Sequence, residues 1–296
     1  MAKIVKLTPY ISETVWGGTK LSKIKNIDSI NPIGETWEVS ALKAGSSTLE
    51  GVKLSDLTTL TYLVKFIDTA ANLSIQVHPD SEYAKEHENS EGKTECWLIL
   101  DALPNAGIYL GFKEGITKKE FFTAVQNGLA VDHFLNFIPA KKGDFFMLPA
   151  GTIHAIGSGV TLCEVQQNSG VTYRVWDWNR MGIDGKPREL HIEKARDVSN
   201  FSGEFNKKVI KNSKRDLFSK VGIIDVATHP DFKVQLFSKI TKDLTLNLKE
   251  KDSMIVLEGS IDGDIKLLSF ESAIVMEKGQ FDFKINESSS FLVVSE

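Results

Sequence analysis

Short apolar runs rich in Val, Ile, Leu and Phe recur along most of the chain, separated by Gly, Asn, Asp and Ser. Runs of this length, bounded by turn-forming residues, predict β-strands. Strand and helix patterns do not alternate regularly, which argues against a doubly wound parallel sheet. Many short strands at short spacing favour a sandwich or a barrel instead. The clearest runs are Tyr62–Asp68, Leu73–His78, Glu95–Leu100, Asp144–Pro149 and Val160–Gln166.

Two segments carry helical patterns. Thr117 and Glu120 form a capping box ahead of an apolar pattern that continues to about Phe137, with Gly128 as a break. Asp80 is placed to cap a short helix that continues through His87. The pattern therefore predicts a mainly β protein with a small helical insert at about residues 117–138.

The composition of the chain changes near residue 200. All five Trp and five of the six His precede that point, whereas the segment 221–296 is strand-like and rich in Ser and Lys. We therefore predict two β domains. The first spans residues 1–185 and contains the helical insert, residues 186–220 form a connector, and residues 221–296 form a smaller domain.

Composition and charge narrow the function. The chain has 296 residues, of which 42% are hydrophobic, so it can bury a sizeable core and is not disordered. Its net charge of −4 predicts neither a nucleic-acid partner nor a membrane partner. Two cysteines give no disulfide framework, and no apolar run approaches the ~18 residues of a membrane span. Without a signal-peptide pattern at its start, the chain is expected to be cytoplasmic.

The first candidate chemistry lies in the predicted strand Leu73–His78. Gln76 and His78 are two residues apart and so project from one face of a strand, while Ile75 and Val77 take the other face. Taken alone, this could equally be a solvated polar face. Glu95, which opens the next apolar run, could likewise be an ordinary strand-end residue.

A motif further along the chain makes these residues stronger candidates for metal ligands. The segment Gly143–His154 matches G-x5-P-x-G-x2-H and resembles the second signature of cupin barrels. A turn, a strand and a bend at Pro149 and Gly151 would present His154 inward. Cupin (jelly-roll) barrels are therefore the expected fold. Two imidazoles, a carboxylate and an amide oxygen suit Zn²⁺, and also Mn²⁺, Fe²⁺, Co²⁺ or Ni²⁺. The predicted metal ligands are Gln76, His78, Glu95 and His154.

Three basic residues occupy unusual positions. Arg174 lies within the aromatic run Tyr173–Trp178, where a strand would place it on one face with Trp176 and Trp178. It could bind a phosphate, stabilise an enediolate, or stack on Trp at a domain interface. Lys65 interrupts an apolar run, and Lys93 lies two residues before Glu95.

Together these segments resemble one family, the type I mannose-6-phosphate isomerases of the short bacterial class. The resemblance covers about the first 200 residues and is carried by Val15–Gly18, Gly34–Ser40, Lys65–Asp80, Gly92–Trp97, Tyr109–Phe112, Leu148–Ala155, Tyr173–Trp178 and Arg188–Lys194. The C-terminal part resembles a cupin domain that has lost its metal, and we expect it to be structural.

The resemblance implies a zinc enzyme, with one ion per chain, that interconverts mannose 6-phosphate and fructose 6-phosphate. The family's metal ligands match the four residues named above, its active-site arginine matches Arg174, and its pocket lysines match Lys65 and Lys93. We assign catalytic roles to Arg174 and Lys93. Substrate contacts are expected from Lys65, Arg180 and Trp16, with Lys65 or Arg180 at the phosphate.

Several points stay open at this level. The proton could be moved by Lys93 or by a hydroxide on the metal. A cupin dioxygenase and a non-catalytic sugar-binding cupin remain alternative functions. The oligomeric state is not given by the sequence. The remaining histidines, His87, His133, His191 and His229, and the two cysteines, Cys96 and Cys163, are expected to be structural or solvated.

Overall fold

A computed structural model describes residues 3–285 and 287–296. It confirms a mainly β protein. The strands of the first half of the chain are β1 (Ile4–Lys6), β2 (Tyr10–Gly18), β3 (Ile33–Val39), β4 (Thr48–Leu49), β5 (Val52–Lys53), β6 (Tyr62–Asp68), β7 (Ile75–Val77), β8 (Glu95–Ala102), β9 (Gly107–Phe112), β10 (Leu135–Pro139), β11 (Phe145–Leu148), β12 (His154–Ile156), β13 (Val160–Gln167) and β14 (Tyr173–Trp176).

Two antiparallel sheets of these strands enclose the interior of the first unit. One has the order β11-β8-β13-β6-β3-β2 and the other has the order β10-β9-β12-β7-β14. The short strands β4 and β5 form a separate ribbon.

Side-chain alternation along the strands sorts residues between the interior of this unit and its outside. On β6, Val64 and Phe66 belong to the core cluster shared with the second unit, whereas Lys65 between them faces the opposite way. On β7, Ile75 and Val77 pack into an outer layer, which leaves Gln76 to the interior. Charged and polar residues in these buried strands therefore point into the space between the two sheets.

Six α-helices accompany the strands in the described residues, and two 3₁₀ turns lie at Asp132–Phe134 and Leu217–Ser219. The helices are α1 (Lys20–Ile24), α2 (Leu54–Leu57), α3 (Ser81–Glu88), α4 (Lys118–Gln126), α5 (Ile192–Val198) and α6 (Gly203–Lys211).

The two helices expected from the sequence are both present. The side chain of Asp80 accepts a hydrogen bond at the start of α3, and that of Thr117 does so at the start of α4. The expected continuation of α4 to about Phe137 is wrong. Gly128 adopts a positive φ of 68°, and the chain then forms a 3₁₀ turn and the strand β10, which pairs with β9. Backbone pairing to a neighbouring strand overrides the local helical pattern there.

The second unit contains the remaining strands. They are β15 (Gly222–His229), β16 (Phe232–Ile240), β17 (Leu244–Leu248), β18 (Ser253–Glu258), β19 (Ser260–Gly263), β20 (Leu267–Leu268), β21 (Ser272–Val275), β22 (Gly279–Lys284) and β23 (Ser289–Ser295).

A strand from the start of the chain completes the second unit. Its larger sheet has the order β1-β21-β18-β23-β16-β15, in which Val5 of β1 pairs with Ile274 of β21. A smaller sheet has the order β17-β22-β19-β20. The first residues of the predicted first domain thus lie in the sheet of the second, and the predicted connector carries α5 and α6. The proposed domain boundaries stay a prediction.

One hydrophobic core joins the two units. It includes Tyr62 and Phe66 from the first unit and Phe232, Leu236 and Leu292 from the second, all fully buried or nearly so. Burial of this apolar surface holds the units face to face. Among the described residues, no helix combines the length and apolar character that crossing a membrane requires.

Candidate metal centre and substrate cavity

Two histidines meet between the sheets, and the backbone fixes the state of each ring. Nδ1 of His78 lies 2.9 Å from the carbonyl oxygen of Val171, and Nδ1 of His154 lies 2.9 Å from that of Thr152. A carbonyl oxygen can only accept, so each Nδ1 carries a hydrogen, and burial lowers the pKa of both rings, which favours their neutral form. Each Nε2 is then a nitrogen without hydrogen, the form in which imidazole binds a metal; that of His78 lies 3.2 Å from Nζ of Lys93, and that of His154 lies 3.4 Å from the amide nitrogen of Gln76.

The carboxylate of Glu95 faces both bare nitrogens. Its Oε2 lies 3.4 Å from Nε2 of His78 and its Oε1 lies 3.2 Å from Nε2 of His154. The three ligand atoms lie within 4.8 Å of one another, and all three residues are buried.

This donor set fits a divalent cation. Oε1 of Glu95 is buried and accepts no hydrogen bond from the described residues. It faces the lone pair of His154, so two electron-rich atoms oppose each other in a site of low dielectric. A cation between them would satisfy both, and two imidazoles with one carboxylate are a usual zinc set.

Gln76 lies beside this set. It pairs with His154 on one neighbouring strand and with Arg174 on the other. Its amide Nε2 lies 3.4 Å from Nε2 of His154, while its Oε1 accepts a hydrogen bond from Ser74. A half-turn of the amide would present the oxygen that the predicted ligand role requires. That role stays a prediction.

Two lysines and two carboxylates line the opposite sheet. Nζ of Lys93 lies 2.7 Å from Glu95 Oε2 and 3.9 Å from Glu164 Oε1. Nζ of Lys65 lies 3.4 Å from both Glu164 and Glu35. The four groups connect the metal centre to the cavity wall through alternating charges.

Tryptophan indoles orient the two added carboxylates. Trp97 donates a hydrogen bond of 2.8 Å to Glu164, and Trp37 donates one of 2.6 Å to Glu35. The strand register places Trp37 opposite Lys65, and Glu164 between Lys65 and Trp97. Trp37, Lys65, Glu164 and Trp97 therefore form a row across four strands.

Burial and charge shift the pKa values of this cluster. Burial, helped by the positive charge of Lys93, lowers the pKa of His78 to about 3. Burial would raise the pKa of Glu95, but Lys93 and the two histidines hold it well below its usual range. Burial and the negative charge of Glu95 raise the pKa of Glu164, against the opposing lysines. The centre thus keeps neutral imidazoles and an ionised Glu95, as metal binding requires.

A cavity of about 290 Å³ opens above this cluster. It lies near the lower end of the ~300–1,000 Å³ usual for small-molecule sites. The predicted residues Trp16, Lys65, Lys93 and Arg174 all line it. The sequence therefore placed four of its five non-ligand candidates at one cavity.

Arg174 is held at the cavity wall by the backbone. Its Nη1 donates a hydrogen bond of 2.7 Å to the carbonyl oxygen of Glu189, while its Nε has no partner among the described residues. Burial and the positive charge of Arg188 lower the pKa of its guanidinium. Arg174 is therefore anchored through Nη1 and has a second, buried donor without an acceptor in the described part of the chain.

The other arginine candidate, Arg180, does not line the cavity. Its guanidinium pairs with Asp177 at 2.8 Å and donates to the carbonyl oxygen of Asn72 at 2.5 Å. Trp178, expected to continue the strand, adopts a positive φ of 57°, as does Asn179 at 53°, so the chain turns away there. Arg188 lines the cavity instead, with Nε 2.7 Å from Asp177.

Sequence reasoning missed three charged residues that line the cavity: Glu35, Glu164 and Arg188. Glu164 carried a usable signal, because it is a charged residue inside the apolar run Val160–Val165. Glu35 and Arg188 lie in segments that carried the family resemblance, but no local pattern separates them from solvated charges.

Of the remaining histidines, His191 lies beside Arg174, whose backbone nitrogen donates a hydrogen bond of 3.3 Å to its Nδ1, and the other three lie elsewhere. His87 stacks on Tyr83 on the surface of α3, with ring centroids 3.9 Å apart. His133 contacts Phe134, and His229 contacts Phe232 in the second unit. Burial raises the pKa of Cys96, which suits its expected role as a small buried apolar residue.

Comparison with known proteins identifies the family. No family model matches the sequence. A mannose-6-phosphate isomerase from Streptococcus mutans is 39% identical over 217 residues, which cover 67% of this chain and 68% of that relative. This chain belongs to the mannose-6-phosphate isomerase family. The expected family membership is confirmed, and curated relatives align over 66% to 68% of their own length.

Solved structures of mannose-6-phosphate isomerases resemble this chain over its whole length. The mannose 6-phosphate isomerase of Bacillus subtilis superposes with a TM-score of 0.83 at 28% identity, covering 99% of this chain and 100% of that one. A mannose 6-phosphate isomerase bound with zinc and yttrium gives 0.72 at 17% identity, with full coverage of both chains. The second likeness shows the fold alone. The cupin prediction is confirmed.

Proposed function

We propose that this chain is a zinc-dependent isomerase that interconverts mannose 6-phosphate and fructose 6-phosphate. The observation that carries the proposal is one cavity that is lined by two arginines and adjoins the buried His–Glu–His set through Lys93 and Gln76 in its wall. A phosphorylated sugar has the matching chemistry, with oxygens to be polarised at one end and a dianion at the other. The names of the family's relatives point to the same reaction.

One zinc ion per chain would be held by His78, Glu95 and His154, with Gln76 as a fourth ligand after rotation of its amide. When bound, the ion supplies Lewis-acid stabilisation of negative charge on the substrate oxygens. The neutral rings fixed by Val171 and Thr152 are ready for this without losing a proton.

The reaction itself moves protons rather than hydride in this proposal. A base removes the proton from C2 of the aldose, and the electron pair forms a cis-enediolate between C1 and C2. Returning a proton to C1, with proton exchange between the two oxygens, gives the ketose. Lys93, Glu164 and Lys65 form a connected set beside the metal centre that can hold and pass a proton.

Arg174 and Arg188 are assigned to two different negatively charged parts of the substrate. Arg174 lies directly opposite Gln76 across β14 and β7, and in this proposal it stabilises the negative charge that develops on the reacting oxygens. Arg188 is held by Asp177 at the cavity wall, and its guanidinium can bind the phosphate as a second anion. We therefore assign the phosphate to Arg188 rather than to Arg180.

The proposed activity is tested by a coupled assay that follows fructose 6-phosphate formed from mannose 6-phosphate. We expect turnover that disappears with a chelator and returns with zinc. Run in D₂O, the reaction should place solvent deuterium in the product, because a proton lost to a lysine or carboxyl exchanges with water. A chain that consumes O₂ with its metal and forms no fructose 6-phosphate would instead be a cupin dioxygenase, and the proposal would fail.

Arg188→Ala should raise KM for the sugar phosphate while changing kcat little. A lost charged hydrogen bond of about 1.5–3 kcal/mol corresponds to roughly a ten- to hundredfold rise in KM. Arg180→Ala is the matched control, because Arg180 bonds the same Asp177 but lies outside the cavity. Steady-state kinetics on both variants measure the difference. An equal KM effect in the two variants would remove Arg188 from the phosphate site.

A further inference from the structure

The turn between β15 and β16, in the second unit, reaches the metal centre through one buried glutamine. Gln167 is 3% exposed and lies at the end of β13. Its Nε2 donates a hydrogen bond of 2.6 Å to Oδ2 of Asp231, which occupies the turn, and another of 3.2 Å to Oγ of Ser81. Both acceptors of this amide group come from other parts of the chain.

The other end of the same amide holds the backbone beside the proposed ligand. Oε1 of Gln167 accepts a hydrogen bond of 2.7 Å from the backbone nitrogen of Thr94, and the backbone nitrogen of Gln167 donates one of 3.0 Å to the carbonyl oxygen of Thr94. Thr94 stands between Lys93 and Glu95. A shift of its backbone would move both neighbours.

Thr94 also reaches the loop that precedes His154. Its Oγ1 accepts a hydrogen bond of 3.2 Å from the backbone nitrogen of Ala150, in the bend between Pro149 and Gly151. One threonine therefore links the start of β8 to the turn that presents His154 on β12.

We infer that Asp231 is a positioning residue, which fixes Lys93 and Glu95 through Gln167 and Thr94 and so couples the second unit to the metal centre. The inference rests on the proposed function, because the proposed function assigns Lys93 and Glu95 their roles in proton transfer and metal binding. The structural role expected for the C-terminal unit is thereby extended, since that unit supplies one hydrogen-bond acceptor that orders the catalytic segment. Asp231 itself touches neither substrate nor metal in this scheme.

The test compares Asp231→Ala with Asp231→Asn. Alanine removes the acceptor for Gln167, whereas asparagine keeps a side-chain oxygen in the same place. The turn stays docked in both, because Thr61 bonds the backbone carbonyl of Asp231 rather than its side chain. We expect alanine to lower kcat and zinc affinity by roughly tenfold each, the usual size for groups that orient ligands, with a smaller change in KM. Asparagine should restore most of both.

Tyr62→Phe is the matched control. Tyr62 pairs with Gln167 across β6 and β13 and bonds second-unit atoms through its hydroxyl, at 2.5 Å to the carbonyl oxygen of Lys251. Its loss weakens the contact between the units without touching Thr94. We expect a lower melting temperature with kcat and zinc affinity close to those of the parent.

A double variant that exchanges the carboxylate and the amide between positions 167 and 231, called the swapped pair, provides a second test. Gln167→Glu keeps the acceptor for Thr94 but sets a carboxylate against Asp231, so it should lower kcat and zinc affinity. Adding Asp231→Asn offers that carboxylate an amide donor and should recover both.

Zinc affinity is measured by competition with a chromophoric chelator, which needs no turnover. A chain that failed to isomerise mannose 6-phosphate would therefore still report on this link. Folded Asp231→Ala with parental kcat and zinc affinity would overturn the inference. Equal losses in Asp231→Ala and Asp231→Asn would overturn it too, as would a swapped pair with no recovery.

Discussion

Replacing His154 with alanine is expected to remove zinc from the protein and its activity with it. The ring is 1% exposed, its tautomer is fixed by the carbonyl oxygen of Thr152, and its bare Nε2 faces Oε1 of Glu95. Removing a ligand itself should cost more than the ~10–100-fold typical of groups that only orient ligands. Zinc affinity should therefore fall by more than about a hundredfold, and turnover at limiting zinc should fall with occupancy.

The measurement is metal content per chain after dialysis against a weak chelator, together with the isomerase assay. His133→Ala is the control histidine, because His133 is exposed and lies outside the cluster. It should keep its zinc and its turnover. A folded His154→Ala protein that retains one zinc per chain and parental activity would show that this histidine is not a ligand.

The metal centre was predictable because strand geometry carries it. A period of two sets Gln76 and His78 on one face, and the motif from Gly143 to His154 places a third residue after a defined bend. In the structure Gln76 lies next to His154 on the neighbouring strand, and His78 and His154 both face Glu95. Local rules plus one motif therefore account for the clustering of Gln76, His78 and His154, whereas neither distinguishes Glu95 from an ordinary strand-end residue.

The cavity wall was not predictable in the same way. Two consecutive positive-φ residues, Trp178 and Asn179, turn the chain out of its strand, and an alternation pattern assumes that no such turn occurs. Arg180 is carried away from the cavity by that turn, and Arg188 returns to it after a loop. Which of two nearby arginines returns depends on the tertiary path, with Asp177 binding both.

The pairing of strand β1 with the second unit was also not predicted, because it is a long-range contact. The strand β1 at the start of the chain joins a sheet whose other strands begin after residue 220. Nothing in Ile4–Lys6 itself points to a partner at Ser272–Val275, because a three-residue apolar strand would fit many edges. The change in composition near residue 200 indicates a domain boundary. It does not reveal that a strand from before this boundary pairs in the sheet that follows it.

Replacing Arg174 with alanine is expected to lower kcat by roughly 10²–10³-fold, the effect of removing one preorganised donor from a developing oxyanion. Its Nε has no partner within residues 3–285 and 287–296, its Nη1 is anchored to Glu189, and it lies opposite Gln76 beside the proposed zinc ligands. Charge that appears only in the transition state is stabilised by such a donor, so KM should change much less.

Three further measurements complete this test. Arg174→Lys should recover only part of the rate, because an ammonium lacks the planar fork of a guanidinium. Zinc content must match that of the parent, since loss of the metal would also lower kcat. A raised KM with nearly unchanged kcat would mean that Arg174 grips the phosphate in both ground and transition states. Folded, zinc-replete Arg174→Ala with parental kcat and KM would exclude Arg174 from the reaction, because the loss of a donor that stabilises the transition state must lower kcat.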